Sequence, residues 1–154
     1  MQRRSNASVF MERGTRETKE VRVADTVAFG TIEWLDTYVK LFNETPEMQA
    51  ALKEFTARVA YEFTDRPDLI PKFVVMEEGV IKEYGELADD GEMDYVIKAN
   101  YEIWKSMTEG DLDPMNALMS GKLKVRGNMA ALLKHAEGFK ATFDIVQAIP
   151  TVFD

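Results

Sequence analysis

The sequence predicts an α+β domain, and three observations carry that prediction. Residues 31–55 show apolar side chains at helical spacing, residues 56–99 fall into short β-rich runs separated by turn residues, and helical spacing returns from about residue 101, interrupted by one short strand. Strands grouped together with helices at both ends make an α+β fold, not a repeated strand–helix–strand chain. The 154 residues suit one domain with a tail. A chain of that length buries roughly 68–70% of its unfolded surface, enough for a sizeable core.

The first 29 residues stand apart as a polar N-terminal extension, with the domain expected over residues 30–154. Arg3, Arg4, Arg13, Arg16, Lys19 and Arg22 face Glu12, Glu17, Glu20 and Asp25, a balance of about +2 that leaves about −10 on the remainder. A free arm and an extension that packs on a neighbour both fit this composition. The interleaved acidic residues argue against a mitochondrial presequence.

The elements follow in order. Ile32, Leu35, Val39 and Phe42 share one face of a helix, and Thr45 as N-cap with Pro46 at the first helical position opens a second, with Ala51, Leu52 and Phe55 as its apolar side. "TARVAYEFTD" alternates through Val59, Tyr61 and Phe63, while "PKFVVME" and "GVIKEYGE" are joined by a hairpin turn at Glu78-Gly79. Pro67 and Pro71 keep "DRPDLIP" out of a central strand. Asp90-Gly91 marks a further turn before the fourth strand, "EMDYVIKANYE", and hairpin order makes these four strands largely antiparallel. Ile103, Trp104 and Met107 then share a helical face. Asp113 caps a short helix with Pro114 in its first turn, and Gly121 stops it. Leu123 and Val125 point to one side of a short fifth strand, opposite Lys122, Lys124 and Arg126. Gly127 permits a sharp change of direction and Asn128 caps the next helix, whose stripe is Met129, Leu132, Leu133 and Ala136. A break is expected at Gly138, before Phe139, Phe143 and Val146 carry the helical pattern to about Ala148.

Several function classes fall away on composition. A net charge of −8 opposes nucleic acid, whose binders need a basic face, and opposes tight docking on anionic lipid. Zero cysteines exclude disulfides, thiolate metal sites and thiol nucleophiles, and the single histidine, His135, excludes a histidine cluster. No apolar run is long enough for a membrane span and no signal-peptide core is evident, so the expected location is cytoplasmic. Ser106 and Ser120 have no base to activate them. Glu77-Glu78 and Asp89-Asp90 sit at turns and read as solvated charge, and His135 reads as a surface residue more readily than as a general base. Phosphate-binding, dinucleotide and calcium-loop spacings are absent. The expectation is a protein that is not an enzyme, with no cofactor, no metal and no catalytic residues.

The stretch "DPMNALMSGKLKVRGNMAALLKH" resembles the sterol carrier protein type 2 lipid-transfer family: a short helix, then Gly-Lys-Leu-Lys-aliphatic-x-Gly-Asn-Met and an apolar helix. Upstream, "EMDYVIKANYE" and "IWKSMTEG" sit where that family has a strand and a helix ending in Met-Thr-Gly. The likeness covers about residues 31–148 in element order and about 93–135 in specific residues. It implies a five-stranded, mostly antiparallel sheet covered by helices, with a hydrophobic ligand held between them. The end "PTVFD" lacks the Ser-Lys-Leu-like peroxisomal signal of many eukaryotic members. Together with the extra N-terminal segment, that points to a prokaryotic-type relative.

Four of the nine methionines, Met107, Met115, Met119 and Met129, fall within 23 positions. Methionine fills irregular core gaps, and it also makes a deformable wall for a flexible ligand; both uses remain open at these positions. The same choice applies to Trp104, Leu118, Leu132, Leu133, Phe139 and Phe143, and these ten residues form the expected lining of an apolar tunnel. Lys122, Lys124, Arg126 and Lys134 either meet a head group at the tunnel mouth or form a solvated face.

The expected function is therefore binding or transfer of a fatty acid, acyl-CoA, sterol or isoprenoid-like ligand. The partners would be that ligand and at most a transient membrane contact; a homodimer is compatible with the sequence. The alternative is a non-enzymatic accessory or dimerisation module, with a filled core, that organises enzymes of hydrophobic-compound metabolism.

Overall fold

The structure, a computed structural model, describes residues 26–89 and 91–154. The polar segment up to residue 25 and Asp90 of the Asp90-Gly91 turn lie outside the described residues. Val27–Ala28 forms a short strand, β1, pairing in parallel with β7, Thr151–Val152, near the other end of the chain. Phe29 is buried. Residues 27–29, grouped by sequence with the polar segment, therefore pack as part of the body. A two-residue strand carries no readable alternation, so neither half of this pair is visible in the sequence.

Helix α1 spans Ile32–Asn43, capped by the Thr31 side chain accepting from the Trp34 N–H. It buries Leu35, Tyr38, Val39 and Phe42. Helix α2 is short, Pro46–Ala51. Its expected Thr45 cap is replaced by a bond in the other direction, the Thr45 hydroxyl donating 2.7 Å to the Leu41 carbonyl at the end of α1. Ala51 is exposed, while Met48, Leu52 and Phe55 are buried, the last two beyond the helix end.

Five strands form the main sheet: β2 Ala57–Phe63, β3 Lys72–Glu77, β4 Val80–Glu86, β5 Tyr95–Ala99 and β6 Lys124–Arg126, in spatial order β4-β3-β2-β5-β6. The β3–β4 turn has Glu78 and Gly79 at φ 52° and 81°, the left-handed pair that a two-residue hairpin needs. The sheet is mostly antiparallel, with one departure from hairpin order. Strand β5 crosses to the far side of β2 and pairs with it in parallel, Val59 opposite Tyr95 and Tyr61 opposite Ile97. The free edge of β4 is occupied instead. The Asn43 side chain at the end of α1 donates to the Ile81 carbonyl (3.0 Å) and accepts from its N–H (2.9 Å), and the Tyr84 hydroxyl donates 2.8 Å to Asp36. An α1 that satisfies that edge leaves β2 as the strand available to β5.

The remaining helices are α3 Tyr101–Thr108, α4 Pro114–Met119, α5 Met129–Lys134 and α6 Ala136–Ala148. Asn100, Asp113 and Asn128 cap α3, α4 and α5 through side-chain oxygens. Gly127 has φ 141°, and a Cβ there would lie 2.5 Å from the Tyr95 ring and 2.6 Å from the Asp94 carbonyl, so the β6–α5 turn admits only glycine. The break between the last two helices falls at His135, not at Gly138. Gly138 lies in the first turn of α6, where it lets Leu52 approach: a Cβ would meet Leu52 Cδ2 at 2.5 Å.

Candidate functional site: an apolar cavity beneath the helices

Strand alternation sends Ala57, Val59, Tyr61 and Phe63 of β2 to the same face, the one covered by helices. Its first part is solid. Val59 is 1% exposed and sits with Val74, Met76, Phe42, Leu52 and Phe55 in one continuous cluster. One pair of residues further along, packing stops. Lys72, Tyr61, Ile97 and Val125 are register partners across β3, β2, β5 and β6. That row is the floor of a cavity of about 150 Å³. A single water needs roughly 10–15 Å³ by the same measure, so this is no packing defect.

Five helices build the rest of the wall. α1 contributes Trp34, Leu35 and Tyr38; α3, Trp104 and Thr108; α4, Pro114, Met115 and Leu118; α5, Leu132 and Leu133; α6, Ala136, Phe139, Lys140, Thr142, Phe143 and Val146. Phe29, Gly30, Thr31, Phe63 and Leu123 complete it. Nearly all of the surface is carbon, and most of the polar atoms are already engaged. The two indole N–H groups donate away from the cavity's apolar surface, Trp34 to the Thr151 hydroxyl and Trp104 to the Glu62 carbonyl, each at 3.0 Å. Thr31, Thr108 and Thr142 each donate their hydroxyl hydrogen to a backbone carbonyl, those of Ala28, Trp104 and Phe139. Burial pushes the phenol of Tyr61 up to about 12; burial also raises that of Tyr38, and nearby Tyr61 raises it further. Both therefore remain neutral hydroxyls at any physiological pH.

Seven of the ten expected lining residues stand on this wall: Trp104, Met115, Leu118, Leu132, Leu133, Phe139 and Phe143. Three do not. Met107 is fully buried in a cluster with Phe29, Trp104 and Ala117 and does not reach the cavity wall. Met119, at the end of α4, is 82% exposed. Met129 packs against the solid cluster. Three separate helices scatter a cluster of methionines that is tight in sequence, so proximity along the chain is a poor guide. Lys122, Lys124, Arg126 and Lys134 are exposed and off the wall; its two lysines are Lys72 and Lys140. His135 places its ring edge-on to Phe55, centroids 5.4 Å apart, and also lies off the wall. Among the described residues no group of three or more His, Asp or Glu side chains is arranged to hold a metal ion.

Sequence reasoning misses the α1 wall and the floor. Trp34 and Tyr38 flank the Ile32–Phe42 stripe, which reads as plain core, and Tyr61 reads only as a strand residue. The available signal is the bulk of these aromatics at positions one turn apart on α1, Trp34 and Tyr38 stacking at 5.8 Å. Lys72 offers no signal, because a lysine opening a strand is ordinarily solvated.

Comparison with known proteins agrees with this architecture. The model of the SCP-2 sterol transfer family matches residues 35–140. No curated protein matches the chain by sequence. Among solved structures, a crystal structure of sterol carrier protein 2 superposes with a TM-score of 0.72 at 23% identity, covering 79% of this chain and 98% of that one. A conserved hypothetical protein of Thermus thermophilus, described as possibly a sterol carrier protein, gives 0.72 at 22% identity, over 80% and 91%. Sterol carrier protein 2 of Yarrowia lipolytica, in its apo form, gives 0.51 at 16%, over 77% and 92%. The structural likenesses establish the fold, and with the family match across more than two thirds of its length the chain belongs to the SCP-2 sterol transfer family.

Proposed function

We propose that the protein binds and transfers a hydrophobic lipid, holding its chain in the cavity between the sheet row Tyr61–Ile97–Val125 and the helices above. Family membership supports sterol or lipid binding in general. The observation that carries the reading for this chain is the cavity itself, an unfilled apolar space whose polar atoms are mostly paired elsewhere. Burying a methylene is worth about 0.8 kcal/mol, so a sixteen-carbon chain brings a gross driving force on the order of 10 kcal/mol. Lost translational and chain freedom offsets a large share, which leaves micromolar affinity within reach of apolar contact alone. The accessory-module alternative calls for a filled core and is disfavoured by the same space.

The test needs no label. The chain's two tryptophans, Trp34 and Trp104, both face the cavity, so a long-chain alcohol or acid entering it should change their emission saturably at one ligand per chain. Emission that stays flat through the solubility limit of hexadecan-1-ol and of palmitate, in a folded protein, would end the carrier reading.

A further inference from the structure

One charged group on the wall has no counterpart in a purely apolar container. Lys72 is 8% exposed and opens β3 at the end of the floor row. Its ammonium donates to the Gly30 carbonyl at 2.9 Å and to the Ile70 carbonyl. Gly30 lines the cavity as well. Two backbone oxygens take two of the three ammonium hydrogens. Among the described residues no carboxylate comes within the 4.0 Å of an ion pair, and the third hydrogen has no protein acceptor. Buried charges are ordinarily paired, because an uncompensated one is costly. Burial lowers the Lys72 pKa below the ordinary lysine value; Glu86, its register partner on β4, and Glu33 on α1 oppose that from a distance.

The neighbouring position adds a second donor. Tyr61 stands directly opposite Lys72 on β2, so the two side chains rise from the same face about 5 Å apart at Cβ. Its hydroxyl has no hydrogen-bond partner among the described residues. The rest of the row, Ile97 and Val125, is aliphatic, and three strand spacings carry it roughly 14 Å away from Lys72. The exposed wall residues Leu133 and Lys140 belong to α5 and α6, not to the Lys72 strand.

Resting on the lipid-binding reading above, we infer that the Lys72 end of the cavity is an anion subsite, and that the ligand is a carboxylate-headed, single-chain lipid bound head-inward, with its tail running along Tyr61, Ile97 and Val125. The carboxylate accepts the free Lys72 hydrogen and supplies the missing counter-charge, with the Tyr61 hydroxyl as its neighbouring donor. A coenzyme A thioester of the same chain lacks the charge at that atom. The free acid is therefore the ligand class this wall selects.

The experiment compares palmitate with hexadecan-1-ol, the same chain with a neutral head, by tryptophan emission in the full-length protein and in Lys72→Gln, whose amide keeps hydrogens for the two carbonyls but no charge. The wild type should bind palmitate at least ten-fold more tightly than the alcohol, and the variant should bring the two to parity by weakening palmitate alone. Equal binding of both ligands to the wild type overturns the anion subsite and leaves the carrier reading standing; failure of both to bind overturns both. A palmitate preference that survives Lys72→Gln removes Lys72 from the site. If that variant does not fold, [1-¹³C]palmitate bound to the wild type decides. Its carboxyl resonance should stay in the ionised position to a lower pH than in free palmitate, because an adjacent ammonium favours the charged form. A carboxyl that titrates as in solution, or at higher pH, contradicts the inference.

Discussion

Two stretches of one sheet face, a single residue pair apart on β2, have opposite fates. At Val59 the face is solid: Val74 and Met76 flank it on β3, and Phe42 and Leu52 pack in the same cluster, all with almost no exposure. At Tyr61 it is hollow. The strand, its pairing and its alternation are the same, so the difference comes from what lies above. The solid rows are covered by the continuous stretch through α1 and α2, whose Phe42, Leu52 and Phe55 reach down to the sheet. Over the hollow row the cover includes α4 and α5, six residues each and separated by β6, whose Leu118 and Leu133 line the space without filling it. Packing in the first region supplies stability, and its absence in the second leaves an open apolar space. The two should respond differently to the same kind of substitution.

The largest effect belongs to the solid side. Phe42→Ala should cost about 3–5 kcal/mol, read from urea unfolding, because the site cannot collapse around the lost ring. Leu118→Ala, on the cavity wall, should cost about 1–2 kcal/mol, since that side chain already lacks partners on one side. Equal losses would erase the distinction between the regions. Overfilling tests the boundary in the opposite sense. Gly138→Ala puts a methyl 2.5 Å from Leu52 Cδ2 and 2.9 Å from its Cγ, and should destabilise by about 1–3 kcal/mol without weakening ligand binding more than ligand-free stability explains.

Leu133→Trp works on the hollow side. Leu133 is 49% exposed and lines the cavity, so an indole there can turn inward at little cost in stability. Affinity for hexadecan-1-ol should fall at least ten-fold, about 1.4 kcal/mol, with an unchanged circular dichroism spectrum. Unchanged affinity in the folded variant would take Leu133 out of the site.

The smallest expected effect lies outside both regions. Arg66 bonds Asp68 and Asp154, at 2.8 and 2.9 Å, and lies over the Tyr101 ring. Arg66, and then the Tyr101 hydroxyl, lower the Asp154 carboxyl to about 2 from an ordinary 3.8. A carboxyl depressed in the folded state stabilises fully above its unfolded value and loses that contribution as pH falls through the folded one. Any loosening of the β1–β7 pair from this source should therefore appear between about pH 4 and pH 2. In Arg66→Gln the Asp154 midpoint, followed by carboxyl NMR, should return toward the ordinary value, while ligand binding at neutral pH stays the same. A midpoint that does not move would assign the shift to another partner.

Much of this arrangement is legible in the residues, and the parts that are not have physical reasons. Caps at Asp113 and Asn128, the Glu78-Gly79 turn and the Gly127 corner are local chemistry, and each is realised where the sequence puts it, whereas the cap read at Thr45 is not formed. The parallel crossing of β5 is not local. It depends on Asn43, some fifty residues earlier, occupying the competing edge. The β1–β7 pair joins segments more than a hundred residues apart, with two residues in each. The cavity wall divides in the same way. Leu132, Leu133, Phe139 and Phe143 follow from a helical stripe, whereas Tyr61 and Lys72 face the hollow only because register aligns them with Ile97 and Val125. Met119 shows the converse, an apolar residue at helical spacing that the end of α4 leaves outside.

The most direct measurement of whether the hollow row is a lipid site is native mass spectrometry of the freshly purified protein, with organic extraction of whatever it carries and a hexadecan-1-ol titration followed by tryptophan emission on the same sample. The expected result is a discrete adduct in the lipid mass range, released on denaturation, or a ligand-free chain that takes up one alcohol saturably and loses that capacity in Leu133→Trp. A ligand-free mass together with no saturable response in a folded protein would contradict it, and would make the space under the helices an unused gap instead of a binding site.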